Sequence, residues 1–161
     1  MANIIDLNLV FEKCKEVAVK AGNLLHDNFR FDAIVTSELA KDIKTQADKA
    51  SEDLILSNLL EFNIPILTEE SGVHRLSFTI KDQEFLSPKD SLQVETDDTP
   101  ELLFIIDPLD GTFNFSRGFK HACVSIALWR KDNPIFGVVY DFYNDDLYTG
   151  FLKEGARCNG K

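Results

Sequence analysis

Apolar residues recur at three- and four-residue intervals in the first third of the chain, which is the period of an amphipathic helix. The first such stretch covers residues 7–29, and Asp6 before it belongs to a residue type that caps helix N-termini. The apolar positions of a second stretch are Leu54, Ile55, Leu59 and Phe62. Thr45 and Asp48 have the Thr-x-x-acid spacing of a capping box, which predicts that this second helix begins there.

The later part of the chain has the short apolar runs and turn residues of β-strands. A short strand is predicted at 66–68, and an apolar run at 102–106 ends on Asp107. Further strands are predicted at 122–129, 135–140 and 147–152. Turn-forming residues join these strands, which favours an antiparallel meander. Asn159-Gly160 is a hairpin signal followed only by Lys161, so the strand before it is expected to lack a return strand.

Between these regions, residues 73–101 lose the regular pattern. Pro88 and Pro100 interrupt the segment, and four of the seven residues 95–101 are acidic. We interpret it as a surface excursion with one irregular hairpin at 76–80 and 84–86. Residues 1–161 are predicted to form one α+β domain, with two N-terminal helices packed on a mainly antiparallel sheet.

The net charge and the cysteine content argue against several classes of function. The chain has 17 Lys and Arg against 27 Asp and Glu, a net charge of −10. Such a surface argues against nucleic-acid and membrane partners, and it repels phosphorylated substrates unless bound cations intervene. The three cysteines contain no Cys-x-x-Cys pair, and the longest apolar run, 102–106, is too short to cross a bilayer. A cytoplasmic location is expected.

One short segment has the residues of a metal and phosphate site. Its sequence is Asp107-Pro108-Leu109-Asp110-Gly111-Thr112. Because Pro108 stiffens the turn, two carboxylates and the Leu109 carbonyl can face one small space, as hard cations such as Mg²⁺ require. If a helix begins at Thr112, its free N–H groups could hold an anion. The segment therefore suggests metal-assisted phosphoryl chemistry.

Each of these features also has a structural interpretation. Asp-Gly is a common hairpin turn, so the segment could be a simple loop. Glu69-Glu70 reads equally as a pair of solvated charges, and Asp48 as the reciprocal partner in a capping box. His26, His74 and His121 have no metal-ligand spacing, so we expect them to serve packing or to lie at the surface.

Residues 107–115 resemble the D-P-[IL]-D-G-T-x-N-[FY] signature of the inositol monophosphatase family of Mg²⁺-dependent, Li⁺-sensitive phosphatases. Residues 45–48 resemble the family's T-x-x-D, and residues 67–71 its x-x-E-E-S. The resemblance implies the N-terminal half of a layered αβαβα fold. It also implies hydrolysis of a small phosphomonoester, with inositol monophosphate as the first choice, by two-metal activation of water.

The resemblance assigns roles residue by residue. The Mg²⁺ ligands would be Glu69, Asp107, the Leu109 carbonyl and Asp110, with Asp107 bridging two ions. The catalytic residues would be Glu69, Thr112 and Asp48, where Asp48 hydrogen-bonds Thr112 and Thr112 orients water or binds metal. The N–H groups of Gly111 and Thr112 would hold the substrate phosphate. Two or three Mg²⁺ ions and a homodimer are expected of the complete enzyme.

The sequence departs from the family pattern in one respect, and this departure distinguishes an active phosphatase from an inert metal-binding fragment. The family has a further metal-binding aspartate after a tryptophan in its C-terminal half, whereas here Arg130 follows the only tryptophan, Trp129. The chain thus resembles the N-terminal part of a phosphatase, and we expect the 161 residues alone to be inactive. A 3′-phosphoadenosine 5′-phosphate or sugar bisphosphatase is the second candidate. A catalytically inert metal-binding fragment is the third.

Overall fold

The computed structural model describes residues 5–29, 37–69, 71–74 and 101–161, and for residues 37–45 it describes the backbone only. The helices in this part are α1 (Leu7–Asn28), α2 (Ser37–Leu59) and α3 (Thr112–Ser116), with a 3₁₀ turn at Leu60–Phe62. The strands are β1 (Ile66–Thr68), β2 (Gly72–His74), β3 (Leu103–Asp110), β4 (Cys123–Arg130), β5 (Asn133–Asp141), β6 (Asp146–Phe151) and β7 (Gly155–Cys158). None of the described helices is both long and apolar enough to cross a membrane.

The first predicted helix and its cap are confirmed. The Asp6 carboxylate accepts hydrogen bonds from the backbone N–H groups of Asn8 and Leu9, at 3.0 and 3.3 Å. Residues on one face of α1 are buried against β4 and β5, and they include Val10, Cys14, Val17, Ala21 and Leu25. The spacing of apolar residues in the sequence therefore matches the spacing of the buried residues in α1.

The predicted start of the second helix is wrong. Helix α2 begins at Ser37, so Thr45 lies inside the helix and cannot cap it. Residues 37–44 are mostly good helix formers, which lets the helix extend N-terminally past the apparent capping box. Asp48 is consequently a mid-helix residue, and its side chain is buried.

The strands form one sheet in the order β2-β1-β3-β4-β5-β6-β7. Strands β1 and β3 are parallel, and every other neighbouring pair is antiparallel. The helices cover one face of the sheet, where the buried residues include Phe104, Ile106, Val124, Ile126, Leu128 and Val138. The predicted α+β fold with a mainly antiparallel sheet, including the meander from β3 onwards, is confirmed.

Four further details can be compared with the prediction. Strand β3 continues past Asp107 to Asp110, with a register shift against β4 between these two residues. Strand β2 was not predicted, because three residues are too few to show an alternating pattern. The hairpin predicted at 76–80 and 84–86 lies outside the described residues. The Asn159-Gly160 turn is confirmed, since both residues have positive φ and Cys158 and Lys161 exchange two backbone hydrogen bonds of 3.0 Å.

Candidate functional site

Two neighbouring strands carry the candidate carboxylates to the same edge of the sheet. In the parallel pairing of β1 with β3, Thr68 lies opposite Ile106. The next residues along the two strands are Glu69 and Asp107, so the two carboxylates lie side by side where β1 ends. The pairing across the sheet thus brings together two residues that are far apart in the sequence.

The turn from β3 into α3 places the second aspartate beside the first. The Leu109 N–H donates a hydrogen bond to Asp107 Oδ1 at 3.2 Å, which folds the backbone back over that carboxylate. Gly111 follows Asp110 with φ +83°, and a Cβ there would lie 2.6 Å from the His121 carbonyl oxygen. Only glycine fits this turn without a backbone shift.

Thr112 begins α3 directly after this turn. Its hydroxyl donates to the Leu109 carbonyl oxygen at 3.4 Å, so the hydroxyl and the carbonyl of the predicted metal site are in contact. A carbonyl oxygen has two lone pairs, so this contact leaves one of them available. The Thr112 hydroxyl and the Leu109 carbonyl oxygen are therefore close enough to contact the same bound group.

The three carboxylates repel one another. Burial first, and then the charges of Glu69 and Asp110, together raise the pKa of Asp107 from 3.8 to about 6. Among the described residues, no salt bridge neutralises any of these three groups. The site therefore has an excess of negative charge that a cation would relieve.

The donor chemistry fits a hard divalent cation, since carboxylate and carbonyl oxygens are what Mg²⁺ takes. Their present positions do not yet form a complete ligand set: across residues 5–29, 37–69, 71–74 and 101–161, no three Asp, Glu, His or Cys side chains converge at metal-binding distances. Glu69 and Asp110 are both exposed, so rotation of their side chains meets little obstruction.

Cys123 is a neighbour of the site that the sequence did not reveal. It pairs with Asp110 across β3 and β4, and its Sγ donates to Asp110 Oδ2 at 3.7 Å. Burial and the charge of Asp110 raise the pKa of this thiol to about 12, so it stays protonated at neutral pH. Cys123 is only partly buried, because β4 turns its side chain toward the carboxylates.

Among its described side chains, helix α2 has three buried polar residues, Asp48, Ser51 and Glu52, whose exposed fractions are 5%, 0% and 6%. Helix α2 packs against β3 and α3, which carry the predicted ligands and Thr112. The Ser51 hydroxyl donates to the Pro108 carbonyl oxygen at 2.7 Å. Glu52 Oε1 accepts from the Ser71 hydroxyl at 2.6 Å. The predicted hydrogen bond between Asp48 and Thr112 stays a prediction.

Ser51 and Glu52 were assigned no role from the sequence, and Ser71 entered only as the last residue of the 67–71 motif. A usable signal existed, because Ser51 and Glu52 follow Asp48 by three and four residues and so share its helix face. What the sequence could not supply was the identity of their partners, which come from β3 and from the segment between β1 and β2.

Comparisons with known proteins give a consistent result. The sequence model of the inositol monophosphatase family matches residues 6–161. Inositol monophosphatase 1 of Solanum lycopersicum is 34% identical over 148 residues, which are 91% of this chain and 48% of that protein. Fructose-1,6-bisphosphatase of Pyrococcus furiosus is 33% identical over 114 residues, which are 71% of this chain and 36% of that protein.

The fold is also similar to solved structures. The inositol monophosphatase from Anabaena (Nostoc) sp. PCC 7120 superposes with a TM-score of 0.69 at 29% identity, covering 96% of this chain and 48% of that chain. This chain spans about half the length of the curated inositol monophosphatases it matches.

Proposed function

Because the chain belongs to the inositol monophosphatase family, we propose that residues 1–161 are the metal-binding part of a Mg²⁺-dependent phosphatase that hydrolyses a small phosphomonoester. The observation that carries the proposal is the proximity of Asp107 to both Glu69 and Asp110 at one edge of the sheet, where burial and the charges of these two carboxylates raise the pKa of Asp107 to about 6. Carboxylates that destabilise one another without a cation are the expected state of a cation site.

Each group of candidate residues would have its own role in the reaction. Glu69, Asp107, Asp110 and the Leu109 carbonyl would hold two or three Mg²⁺ ions. When bound, Mg²⁺ supplies positive charge that polarises the phosphate and lowers the pKa of water. Thr112 would orient the attacking water, with Asp48 holding the Thr112 hydroxyl from the buried face of α2. The N–H groups of Gly111 and Thr112 would hold the phosphate oxygens.

The substrate we propose is inositol monophosphate, because family relatives that match most of this chain bear that activity in their names. The match to a fructose-1,6-bisphosphatase keeps a sugar or nucleotide bisphosphate as the second candidate. The third candidate, an inert metal-binding fragment, follows from the half-length match. A cytoplasmic location and a homodimer stay predictions.

The experiment joins this chain to the C-terminal half of the Solanum lycopersicum relative and measures phosphate release. A cooperative melting curve first establishes that the fusion folds. We expect Mg²⁺-dependent release from inositol monophosphate, and a fall of at least about a hundredfold in kcat/KM for Asp110→Asn, which keeps the shape but removes the ligand charge. The unfused chain should give background release, because its only tryptophan is followed by Arg130 rather than by the family's further aspartate.

Three results would contradict the proposal in different ways. Faster release from 3′-phosphoadenosine 5′-phosphate or fructose 1,6-bisphosphate would favour the second candidate. A folded fusion without Mg²⁺-dependent release would favour the inert fragment. Turnover of the unfused chain within tenfold of the relative would show that the residues named here suffice for catalysis.

A further inference from the structure

The buried polar face of α2 touches both segments that carry the candidate ligands. Ser51 and Glu52 are adjacent in sequence, yet their side chains reach different elements of the sheet. Buried polar groups destabilise a fold unless they are hydrogen-bonded, so these contacts are a condition for burying this face. The pattern gives α2 a role beyond covering the sheet.

The Ser51 contact lies where the pairing of β3 with β4 changes register. Between Asp107 and Asp110 the register of β3 against β4 shifts, so regular pairing is interrupted around Pro108. The Ser51 hydroxyl donates to the Pro108 carbonyl at this point, over 2.7 Å, and Ser51 is fully buried. This bond fixes the backbone between the two candidate aspartate ligands.

The Glu52 contact fixes the segment that follows Glu69. An ionised carboxylate only accepts hydrogen bonds, so the single hydroxyl proton of Ser71 goes to Glu52 Oε1, at 2.6 Å. His74 Nε2 lies 2.6 Å from the same Ser71 oxygen and therefore donates to it. The Ser71 N–H donates in turn to the Thr68 hydroxyl at 3.3 Å. Ser71, two residues after Glu69, is thus held from three sides.

We propose that Ser51 and Glu52 are positioning residues that set the distance between Glu69 and the Asp107–Asp110 segment. This inference rests on the proposed function, because it assumes that these carboxylates bind Mg²⁺. One rigid helix joined by two short hydrogen bonds to two separate segments keeps those segments in a fixed relation. Partners of metal ligands that act in this way contribute about 10- to 100-fold to metal affinity.

The test compares Mg²⁺ affinities of the full chain by titration calorimetry. Ser51→Ala and Glu52→Gln should each raise the Kd for Mg²⁺ at least about tenfold. The matched controls are Ser57→Ala and Glu61→Gln, which make the same chemical changes at exposed positions. Ser57 lies near the C-terminal end of α2 and Glu61 in the 3₁₀ turn after it. Both controls should leave the Kd for Mg²⁺ unchanged. Ser71→Ala should weaken binding as Glu52→Gln does, and Ser71→Thr, which keeps the hydroxyl, should restore it. Affinities within threefold of the original chain for Ser51→Ala and Glu52→Gln would overturn the proposal.

Amide hydrogen exchange of the metal-free chain separates this proposal from the proposed function. Ser51→Ala should speed exchange at Leu109, and Glu52→Gln at Ser71 and Gly72, while the two controls leave these amides unchanged. Failure of the unaltered chain to bind Mg²⁺ would overturn both, since the positioning role presupposes the metal. Binding by the unaltered chain with equal exchange in variants and controls would overturn the positioning role alone.

Discussion

The carboxylate of Glu69 lies at the end of β1 close enough to Asp107 on the parallel strand β3 for its charge to help raise the pKa of Asp107. Protonation of Asp107 relieves part of this repulsion. In the absence of a cation, protonation is therefore how this edge of the sheet reduces its charge. Mg²⁺ and protons should compete for the same oxygens.

This relationship predicts an unusual pH dependence of stability in the metal-free chain. The pKa of Asp107 is raised from 3.8 to about 6, mainly by burial. Between these two values the folded chain holds more protons than the unfolded chain, so the contribution of Asp107 to the free energy of unfolding falls as pH rises. Melting temperatures measured in a chelator from pH 4 to 7 should show this loss in the original chain and a flatter profile in Asp107→Asn.

Asp53→Asn is the control, because Asp53 is an exposed carboxylate on α2. It should reproduce the profile of the original chain. If Asp107→Asn also kept that profile, Asp107 would not be the group that titrates.

The role of Asp48 can be separated from helix capping. Since α2 begins at Ser37, Asp48→Asn removes no cap and should leave the melting temperature nearly unchanged. In the active fusion, loss of the Asp48 carboxylate, which we propose holds the Thr112 hydroxyl, should lower kcat by about a hundredfold or more. Enzyme assays with Asp53→Asn as the matched change on an exposed position provide the comparison. Full activity together with a lowered melting temperature would assign Asp48 a structural role only.

Gly111 should tolerate no side chain. Gly111→Ala introduces a Cβ at 2.6 Å from the His121 carbonyl oxygen in a residue with φ +83°. Strain and overlap together should cost about 2–4 kcal/mol of unfolding free energy, measured by urea denaturation.

Gly155→Ala separates the contribution of backbone strain from that of overlap with a neighbouring atom. Gly155 has φ +86° but no atom within 4 Å of an added Cβ, so only the backbone strain of about 1–2 kcal/mol should appear. Equal losses of unfolding free energy in Gly111→Ala and Gly155→Ala would mean that the contact with the His121 carbonyl oxygen does not affect stability.

Much of the fold follows from local pattern. The periodicity of α1, the Asp6 cap and the strands of the meander all appear in the described structure, because burial of one face dictates both the sequence pattern and the fold. The N-terminus of α2 could not be located, since the Thr45-Asp48 spacing of a capping box also occurs inside a helix. Local sequence signals of this kind do not exclude extension by good helix formers upstream.

The site was predictable only in part. The motif at residues 107–112 and the glutamate at 69 were visible, and the parallel pairing of β1 with β3 explains why they meet. The contacts of Ser51 with Pro108 and of Cys123 with Asp110 depend on packing between distant segments. No local pattern encodes such pairings, so they become visible only in three dimensions.

Titration of the purified chain with Mg²⁺ at pH 7.5, in parallel with its Asp110→Asn variant, tests whether these carboxylates form a Mg²⁺ site. We expect weak, saturable binding to the original chain and at least about a tenfold loss of affinity in the variant. Asp53→Asn removes one carboxylate from an exposed position and should bind Mg²⁺ as the original chain does. No saturable binding to the original chain, or equal binding to the original chain and to Asp110→Asn, would contradict the assignment of a Mg²⁺ site to this edge of the sheet.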